Sequence, residues 1–330
     1  MRYEEFKELV KTEFMSYMSD QFQHMHMEIS TVNKVNKIVD AVTFVDKSKD
    51  FSAAPTVYVN DMYERFLDVK DHEVVFSEMA AEIEAAFQHI PIKESLDLGN
   101  AKNNIVFQLI NTEQNKEMLK GMPHRSFLDL SIIYRWVVEI DERGIQSVMI
   151  KNDTMEKLGL SEGQLFKAAA DNTRRIFPPV IRSMNQVMME IMCAEGMPEE
   201  MVDLMMDERA EDGTMFVITN SAKINGASSI LYDDDLHKLA EIVGTDLYIL
   251  PSSVHETIAV PAKGNPYDLA EMVNEINMSQ VSIDERLSNQ VYHYDKDLRK
   301  LTLATDTPNK RLDGIVAEQQ LVYGVGDKSR

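Results

Sequence analysis

The sequence contains one cysteine, Cys193, among its 330 residues. A single cysteine cannot form an intramolecular disulfide, and it excludes zinc sites that are built from pairs of cysteines. This usage is typical of a reducing compartment, so we expect a cytoplasmic protein. The sequence also has no run of 18 apolar residues and no basic and apolar leader at its start. It therefore predicts neither a membrane span nor export by a signal peptide.

Glycine-rich phosphate-binding loops are missing too. The 13 glycines form neither Gly-x-x-x-x-Gly-Lys nor Gly-x-Gly-x-x-Gly, the motifs that hold phosphates in many nucleotide-dependent enzymes. The interpretation as a kinase or dehydrogenase therefore loses its main support, whereas nucleotide sites that need no such motif are not excluded. No pattern indicates a resident cofactor, and we expect none.

The chain is rich in negative charge. Its net charge of −21 repels nucleic acids and anionic lipid surfaces, so nucleic-acid binding is not expected. Basic and acidic side chains number 11 and 20 in residues 1–115, 11 and 9 in residues 116–183, and 12 and 26 in residues 184–330. The middle segment is the only one of the three that favours a small anionic ligand.

The apolar pattern predicts a mixed fold. Hydrophobic residues make up 44% of the chain and charged residues 27%, a balance typical of globular proteins. Helical spacing predicts an amphipathic opening helix with one apolar stripe, formed by Tyr3, Phe6, Val10, Phe14 and Tyr17. Later apolar segments are joined by short turns and must usually pair antiparallel. We predict an α+β fold with mixed, mainly antiparallel sheets of hairpins covered by amphipathic helices.

Three regions follow from the order of these elements. Residues 1–98 are predicted to form an N-terminal region of one helix, three strands beginning near Phe22, and two helices. Residues 99–300 form a larger region with a central hairpin, a Met-rich helical hairpin, and a strand-strand-helix repeat in which ASSILY (227–232) is a strand. Residues 301–330 turn polar and predict a flexible tail.

One predicted strand carries possible metal ligands. His24, His26 and Glu28 would lie on one face and present two imidazoles and a carboxylate. An edge strand whose polar residues face water gives the same pattern. No fourth ligand is identifiable, and we predict no metal site.

The segment LPSSVHETIAV contains Ser253, His255 and Glu256, the residue types of a hydrolytic triad. On a strand, Ser253 and His255 would stand about 6 to 7 Å apart, too far for a nucleophile and its base, although a loop would bring them closer. The sequence has no Gly-x-Ser-x-Gly elbow to expose a serine. The alternative to catalysis is a polar junction between strand and loop.

The near-neutral middle segment contains several anion-binding residue types. His124, Arg125 and Asp129 precede the central strand, and three arginines flank Pro178-Pro179, namely Arg174, Arg175 and Arg182. Guanidinium groups bind carboxylates and phosphates with two parallel hydrogen bonds. If these stretches meet, they form an anion pocket; if they do not, the arginines pair with carboxylates of an acidic protein.

Methionines are concentrated after this segment. Of the 22 methionines, eight lie within residues 184–206, and Met184, Met188 and Met192 are spaced to share a helix face. Flexible thioethers adapt to different partners, and the acidic residues of 199–212 favour a protein partner with a basic or apolar surface. The alternative is a helical hairpin whose methionines fill gaps in the core.

Six segments of the chain stand in a specific order and spacing. They are MRYEEFKELV, PTVYVNDMYERF, LINTEQNKEMLKGMPHRSFLDLSIIYR, NTRRIFPPVIRSM, FVITNSAKINGASSILY and DLYILPSSVHETIAVPA. Together they resemble an uncharacterised bacterial family, domain of unknown function 5688, over most of the chain. That family has no established activity, so the resemblance implies no function. It marks the HRSFLD, NTRR, ING and SSVHE stretches as recurring, which adds Asn225 to the site candidates.

Two hypotheses remain. The first is a non-enzymatic binding or interaction protein that uses the Met-rich acidic helical surface or an Arg-lined pocket. The second is a small hydrolase or phosphate-ester enzyme in which His255 or His124 is the acid/base and the arginines hold an anion. The second requires HRSFLD, NTRR and SSVHE to converge, because proton transfer needs hydrogen-bond contact or one intervening water.

Overall fold

A computed structural model describes residues 1–45, 56–88, 101–141, 144–198, 201 and 215–306. The described residues fall into two compact units, the first within residues 1–96 and the second within residues 97–311. Among the described residues, no helix is long and apolar enough to cross a membrane.

Among its described residues, the first unit contains a three-stranded sheet and three helices. The helices are α1 (Tyr3–Glu13), α2 (Val59–Val69) and α3 (His72–Gln88), and the strands are β1 (His26–Lys34), β2 (Lys37–Val45) and β3 (Thr56–Tyr58). The strands pair antiparallel in the order β1-β2-β3. Asn36, with φ of 58°, lies in the turn between β1 and β2, because asparagine tolerates the left-handed region.

The core of the first unit is largely aromatic. The apolar stripe of α1 is buried as predicted at Tyr3, Phe6 and Val10, and Phe14 continues it into a short 3₁₀ turn. Phe6 lies at the centre, in contact with the rings of Tyr63, Phe66 and Phe76. Burial of such rings supplies most of the stabilisation of a small domain.

The second unit contains two antiparallel sheets. The smaller sheet is built around β6 (Leu130–Asp141), which pairs on one edge with β4 (Ile105–Asn111) and on the other with β5 (His124–Phe127) and β7 (Gly144–Met149). The short helices α4 (Lys116–Leu119) and α5 (Asn152–Lys157) lie in its connections. Helix α6 (Glu162–Ile176) is tied to β4, since the backbone N–H of Phe107 donates to Thr173 Oγ1 at 2.8 Å.

The larger sheet has six strands in the order β13-β12-β10-β11-β9-β8. The strands are β8 (Pro179–Ser183), β9 (Phe216–Asn220), β10 (Leu247–Leu250), β11 (Thr257–Pro261), β12 (Tyr292–Asp295) and β13 (Lys300–Leu303). The helices described between these strands are α7 (Met184–Ala194), α8 (Asp233–Val243) and α9 (Pro266–Ser279). Each strand pairs antiparallel with its neighbours. Short connections reverse the chain between β10 and β11 and between β12 and β13, whereas the other neighbouring strands are joined by longer segments.

The predicted α+β class with antiparallel sheets is confirmed. Two predicted strands differ from the structure. Residues 20–22 form a 3₁₀ turn and β1 begins only at His26, while ASSILY lies mostly in a 3₁₀ helix, Gly226–Leu231, rather than in a strand. Short apolar runs do not distinguish strand from helix by periodicity, and here tertiary contacts decide.

The polar segment after residue 300 begins inside the fold. Strand β13 pairs with β12, and Thr305 is buried, where its hydroxyl bonds Gln290 and the backbone of Val291. The remainder of the predicted tail, residues 307–330, lies outside the described residues.

Candidate functional site

A cavity of about 260 Å³ lies in the second unit. One side is formed by the smaller sheet, through β4, β6 and β7, and by the end of α6. The other side is formed by the loop of residues 220–228 and by His255. A concave site with a few polar groups among apolar ones is the usual form of a small-molecule site.

Arg135 lies in this cavity, on the central strand of the smaller sheet. It is half-buried, and its three hydrogen bonds all go to neutral acceptors: Ser147 Oγ at 2.9 Å, the Ser147 carbonyl at 3.0 Å and Gln108 Oε1 at 3.2 Å. No carboxylate among the described residues lies within 4.0 Å of it. A guanidinium has five N–H groups, so one N–H on each terminal nitrogen is left for a ligand.

The described surroundings of Arg135 are neutral. Burial lowers its pKa, and no charge among the described residues opposes that shift; burial also lowers the pKa of Arg286, which does not line the cavity. Arginine nevertheless stays protonated in proteins. The chain has 55 acidic side chains, yet the hydrogen-bond partners of this cation in the described part of the chain are all neutral.

The loop of residues 220–228 is held by its own side chains. Asn220 Oδ1 accepts the backbone N–H of Ala222 at 3.0 Å, and its Nδ2 donates to the Ile224 carbonyl at 2.9 Å. Asn225 adopts a left-handed backbone, with φ of 53°. At Gly226 a Cβ would stand 2.2 Å from Thr219 Oγ1, so this close approach requires glycine.

His255 is oriented by this loop and by Glu285. Its Nδ1 accepts the backbone N–H of Asn225 at 3.3 Å, and its Nε2 lies 3.4 Å from Glu285 Oε1. These contacts assign the neutral tautomer with its proton on Nε2. The Ser253 hydroxyl accepts the backbone N–H of His255 at 3.0 Å. Both ring nitrogens therefore face groups other than Ser253, and Glu256 does not line the cavity.

The predicted arginines lie in other contacts. Arg125 binds Glu162 with two hydrogen bonds, of 3.1 and 2.8 Å, and its guanidinium lies over the Phe166 ring. Burial raises the pKa of Glu162, but hydrogen bonds from Arg125 and Tyr134 outweigh it and leave the pKa lowered.

The three arginines around Pro178-Pro179 are also engaged. Arg174 pairs with Asp235 at 2.9 Å and Arg182 pairs with Glu190. Arg175 donates to the Asn103 carbonyl at 2.5 Å and to Asn172 Oδ1 at 3.2 Å. None of these side chains lines the cavity, although their neighbour Thr173 does.

No residue of the HRSFLD stretch lines the cavity. His124 Nδ1 is 2.9 Å from the Met122 carbonyl. Asp129 accepts hydrogen bonds from Ser288 Oγ at 2.6 Å and from the Tyr292 hydroxyl at 2.5 Å. These bonds join the connection between β5 and β6 to β12 and to the segment before it. Of the three stretches of the hydrolase hypothesis, NTRR and SSVHE each contribute one residue to the cavity lining, and HRSFLD contributes none.

The Met-rich segment is described only in part. Met184, Met188 and Met192 lie on α7, and each is half-buried. Ser183, the N-cap residue of α7, forms a capping box with Gln186. Residues 202–214, which hold the second half of the predicted helical hairpin, lie outside the described residues.

Possible metal ligands are dispersed in the described part of the chain. His26 Nε2 lies 3.4 Å from Glu28 Oε1 on an exposed stretch of β1, and His24 precedes that strand. Within the described ranges, no group of three or more His, Cys, Asp or Glu side chains is arranged to hold a metal ion.

Arg135 and its hydrogen-bond partners Gln108 and Ser147 are not among the site residues predicted from the sequence. A signal was present, because Arg135 interrupts the apolar run LSIIYRWVV, and a charged residue in a buried strand needs a partner or a function. Asn225 and His255 were candidates already, and both line the cavity.

The molecule is thus an α+β protein with a cavity in its second unit that contains a cation without a carboxylate partner among the described residues. The chain belongs to a family of unknown function, DUF5688, whose model matches residues 3–296. This confirms the resemblance seen in the sequence. No curated protein and no solved structure matches the chain.

Proposed function

We propose that this chain is a binding protein whose cavity around Arg135 takes a small anionic ligand. The observation that carries the proposal is the set of partners of Arg135, three neutral acceptors and no carboxylate among the described residues. A cation removed from water is costly unless an opposite charge faces it. A bound anion would supply that charge and take the two remaining N–H groups.

The contrast with other arginines supports this proposal. Arg125, Arg174 and Arg182 each pair with a carboxylate of this acidic chain. Ion pairs of that kind orient surface side chains and contribute little energy. At Arg135 neutral oxygens hold the guanidinium in place and leave its charge uncompensated, an arrangement suited to a ligand from solution.

The contacts of Ser253 and His255 favour binding over hydrolysis. A serine nucleophile needs a base within about 3 Å of its hydroxyl, whereas the Ser253 hydroxyl accepts a backbone N–H and the His255 ring nitrogens face Asn225 and Glu285. Ser228, a hydroxyl that does line the cavity, donates to the Asn225 carbonyl at 2.9 Å. The Met-rich docking surface remains a separate prediction.

Isothermal titration calorimetry with sodium acetate, benzoate, phosphate and sulfate tests the proposal. We expect at least one of these anions to bind the full chain and to lose its binding when Arg135→Gln removes the charge. Arg182→Gln is the matched control, because it removes an arginine of the same unit that already has a carboxylate partner. Equal anion binding by the wild type and Arg135→Gln, or no binding to either, would falsify the proposal.

A further inference from the structure

We infer that the ligand of this cavity is a small monocarboxylate with an apolar body, held through its carboxylate by Arg135. This inference rests on the proposed function and narrows it to one chemical class. It follows from the number of cations at the cavity, from the donors that Arg135 has left, and from the position of the apolar wall.

The charge of the site matches a single negative charge. Arg135 is the one arginine or lysine among the described lining residues. His255 also lines the cavity, but its Nδ1 is occupied by the Asn225 N–H and the carboxylate of Glu285 lies 3.4 Å from its Nε2. A phosphate monoester carries close to two negative charges at neutral pH. Its second charge would meet no cation here, in a chain whose net charge is −21.

The donors left on Arg135 suit a carboxylate. With Nε, Nη1 and Nη2 each donating once to the protein, one N–H remains on each terminal nitrogen. The two oxygens of one carboxylate can accept one N–H from each of two terminal nitrogens. Gln108 adds polar capacity beside them: its Oε1 accepts from Arg135, and this orients its amide nitrogen as a donor.

The apolar wall begins next to the cation. Val106, Val137 and Phe177 are buried and packed together, with Ile145 and Ala222 against them. Val106, Val137, Phe177 and Ile145 all line the cavity. Arg135 and Val137 are two residues apart on one strand, so their side chains share a face about 6 to 7 Å apart. A ligand whose carboxylate bonds Arg135 would therefore place its next few carbons against this wall.

The size of the cavity limits the ligand. Its volume of about 260 Å³ lies just below the range of drug-sized sites, which begins near 300 Å³. A branched or aromatic carboxylic acid with a short chain suits this space, whereas a dinucleotide or a long acyl chain would extend beyond it.

Matched probes separate the charge from the apolar body. The full chain is titrated calorimetrically with 3-phenylpropanoate and with three probes that each change one feature of it. The amide 3-phenylpropanamide lacks the charge, acetate lacks the apolar body, and phenyl phosphate carries a different anionic group. We expect 3-phenylpropanoate to bind tightest, the amide and acetate each at least about tenfold weaker, and phenyl phosphate weaker than the acid. Val137→Thr should weaken 3-phenylpropanoate more than acetate, because it makes the wall polar without changing its shape.

Variants of Arg135 distinguish failure of this inference from failure of the proposed function. Arg135→Gln should abolish binding of every acid. Arg135→Lys keeps the positive charge but loses the paired N–H donors of the guanidinium, so it should weaken binding of 3-phenylpropanoate about tenfold and still bind the acid more tightly than the amide. Tighter Arg135-dependent binding of phenyl phosphate than of either carboxylate would overturn the monocarboxylate class and leave anion binding intact. If none of the four probes binds in an Arg135-dependent way, the monocarboxylate inference is wrong, and the proposed function is wrong as well if benzoate, phosphate and sulfate also fail to bind through Arg135.

Discussion

The buried ion pair of the first unit allows a quantitative prediction. Asp40 on β2 accepts hydrogen bonds from Lys7 Nζ at 2.6 Å, from the Tyr3 hydroxyl at 2.8 Å and from Thr31 Oγ1 at 2.9 Å. The side chains of Lys7 and Asp40 are 18% and 11% exposed. Lys7→Met removes the ammonium, keeps a side chain of similar length, and leaves the Asp40 carboxylate with two neutral donors.

We expect this substitution to destabilise the first unit by about 3 kcal/mol. Removing one partner of a buried pair costs about 3 to 5 kcal/mol, and the remaining exposure of both side chains places this pair at the lower end. A loss of about 3 kcal/mol changes the unfolding equilibrium constant about 150-fold. With a urea m value of about 1 to 3 kcal/mol per M, the midpoint falls by about 1 to 3 M.

Urea unfolding followed by circular dichroism at 222 nm measures this difference. The matched control is Lys11→Met, which removes the same charge from the same helix but from an exposed pair with Glu8. We expect the control to leave the midpoint unchanged within error. Equal midpoints for the wild type, Lys7→Met and the control would refute the reasoning, because the buried pair would then behave like a surface pair.

The pH dependence gives an independent check. Burial raises the pKa of Asp40, but the hydrogen bonds from Lys7, Tyr3 and Thr31 outweigh burial and leave the pKa lowered. A carboxyl with a lowered folded-state pKa stabilises the fold above its unfolded pKa, about 3.9, and this stabilisation is lost as pH falls through the folded value. The stability difference between wild type and Lys7→Met should therefore shrink as pH falls below about 4. A difference that stays constant down to pH 2 contradicts this assignment.

Three further substitutions test the second unit, each by urea unfolding. Gly226→Ala should lower the free energy of unfolding by about 1 to 3 kcal/mol or prevent folding, because the added Cβ would stand 2.4 Å from the His255 carbonyl. The control is Gly163→Ala, whose added Cβ would meet open space, and this change should leave stability unchanged or raise it. Tyr292→Phe should cost about 1 to 3 kcal/mol, since it removes the hydroxyl that donates to Asp129, and a loss below about 0.5 kcal/mol would contradict this. Ser161→Ala should cost about 1 kcal/mol by removing the cap of α6, whereas an unchanged midpoint would show that the cap contributes nothing.

Local sequence patterns predicted most elements because their causes are local. The stripe of α1 is set by spacing alone, and the capping box at Ser161 needs only residues three apart. The turn before β2 needs a residue that accepts a left-handed backbone, which Asn36 supplies. Such features depend on neighbours along the chain, so the sequence contains them in full.

The segment at 226–231 shows where local patterns fail. Its apolar residues suit a strand or a helix equally, and the 3₁₀ conformation goes with contacts made far along the chain. The Thr219 hydroxyl donates to the His255 carbonyl, Ala227 N–H donates to the Val254 carbonyl, and Gly226 approaches both of these segments. Long-range contacts of this kind override local preference.

The sequence by itself determined the α+β class, the opening helix, the family and the residue types that could bind an anion. Only the tertiary structure decided which arginine faces a cavity. Carboxylates that lie between 8 and 61 positions away in the chain form ion pairs with Arg125, Arg174 and Arg182. Arg135 instead donates hydrogen bonds to Gln108 and Ser147 on two neighbouring strands. The physical reason is that charge compensation depends on distance in space, which sequence spacing does not specify across different strands and helices.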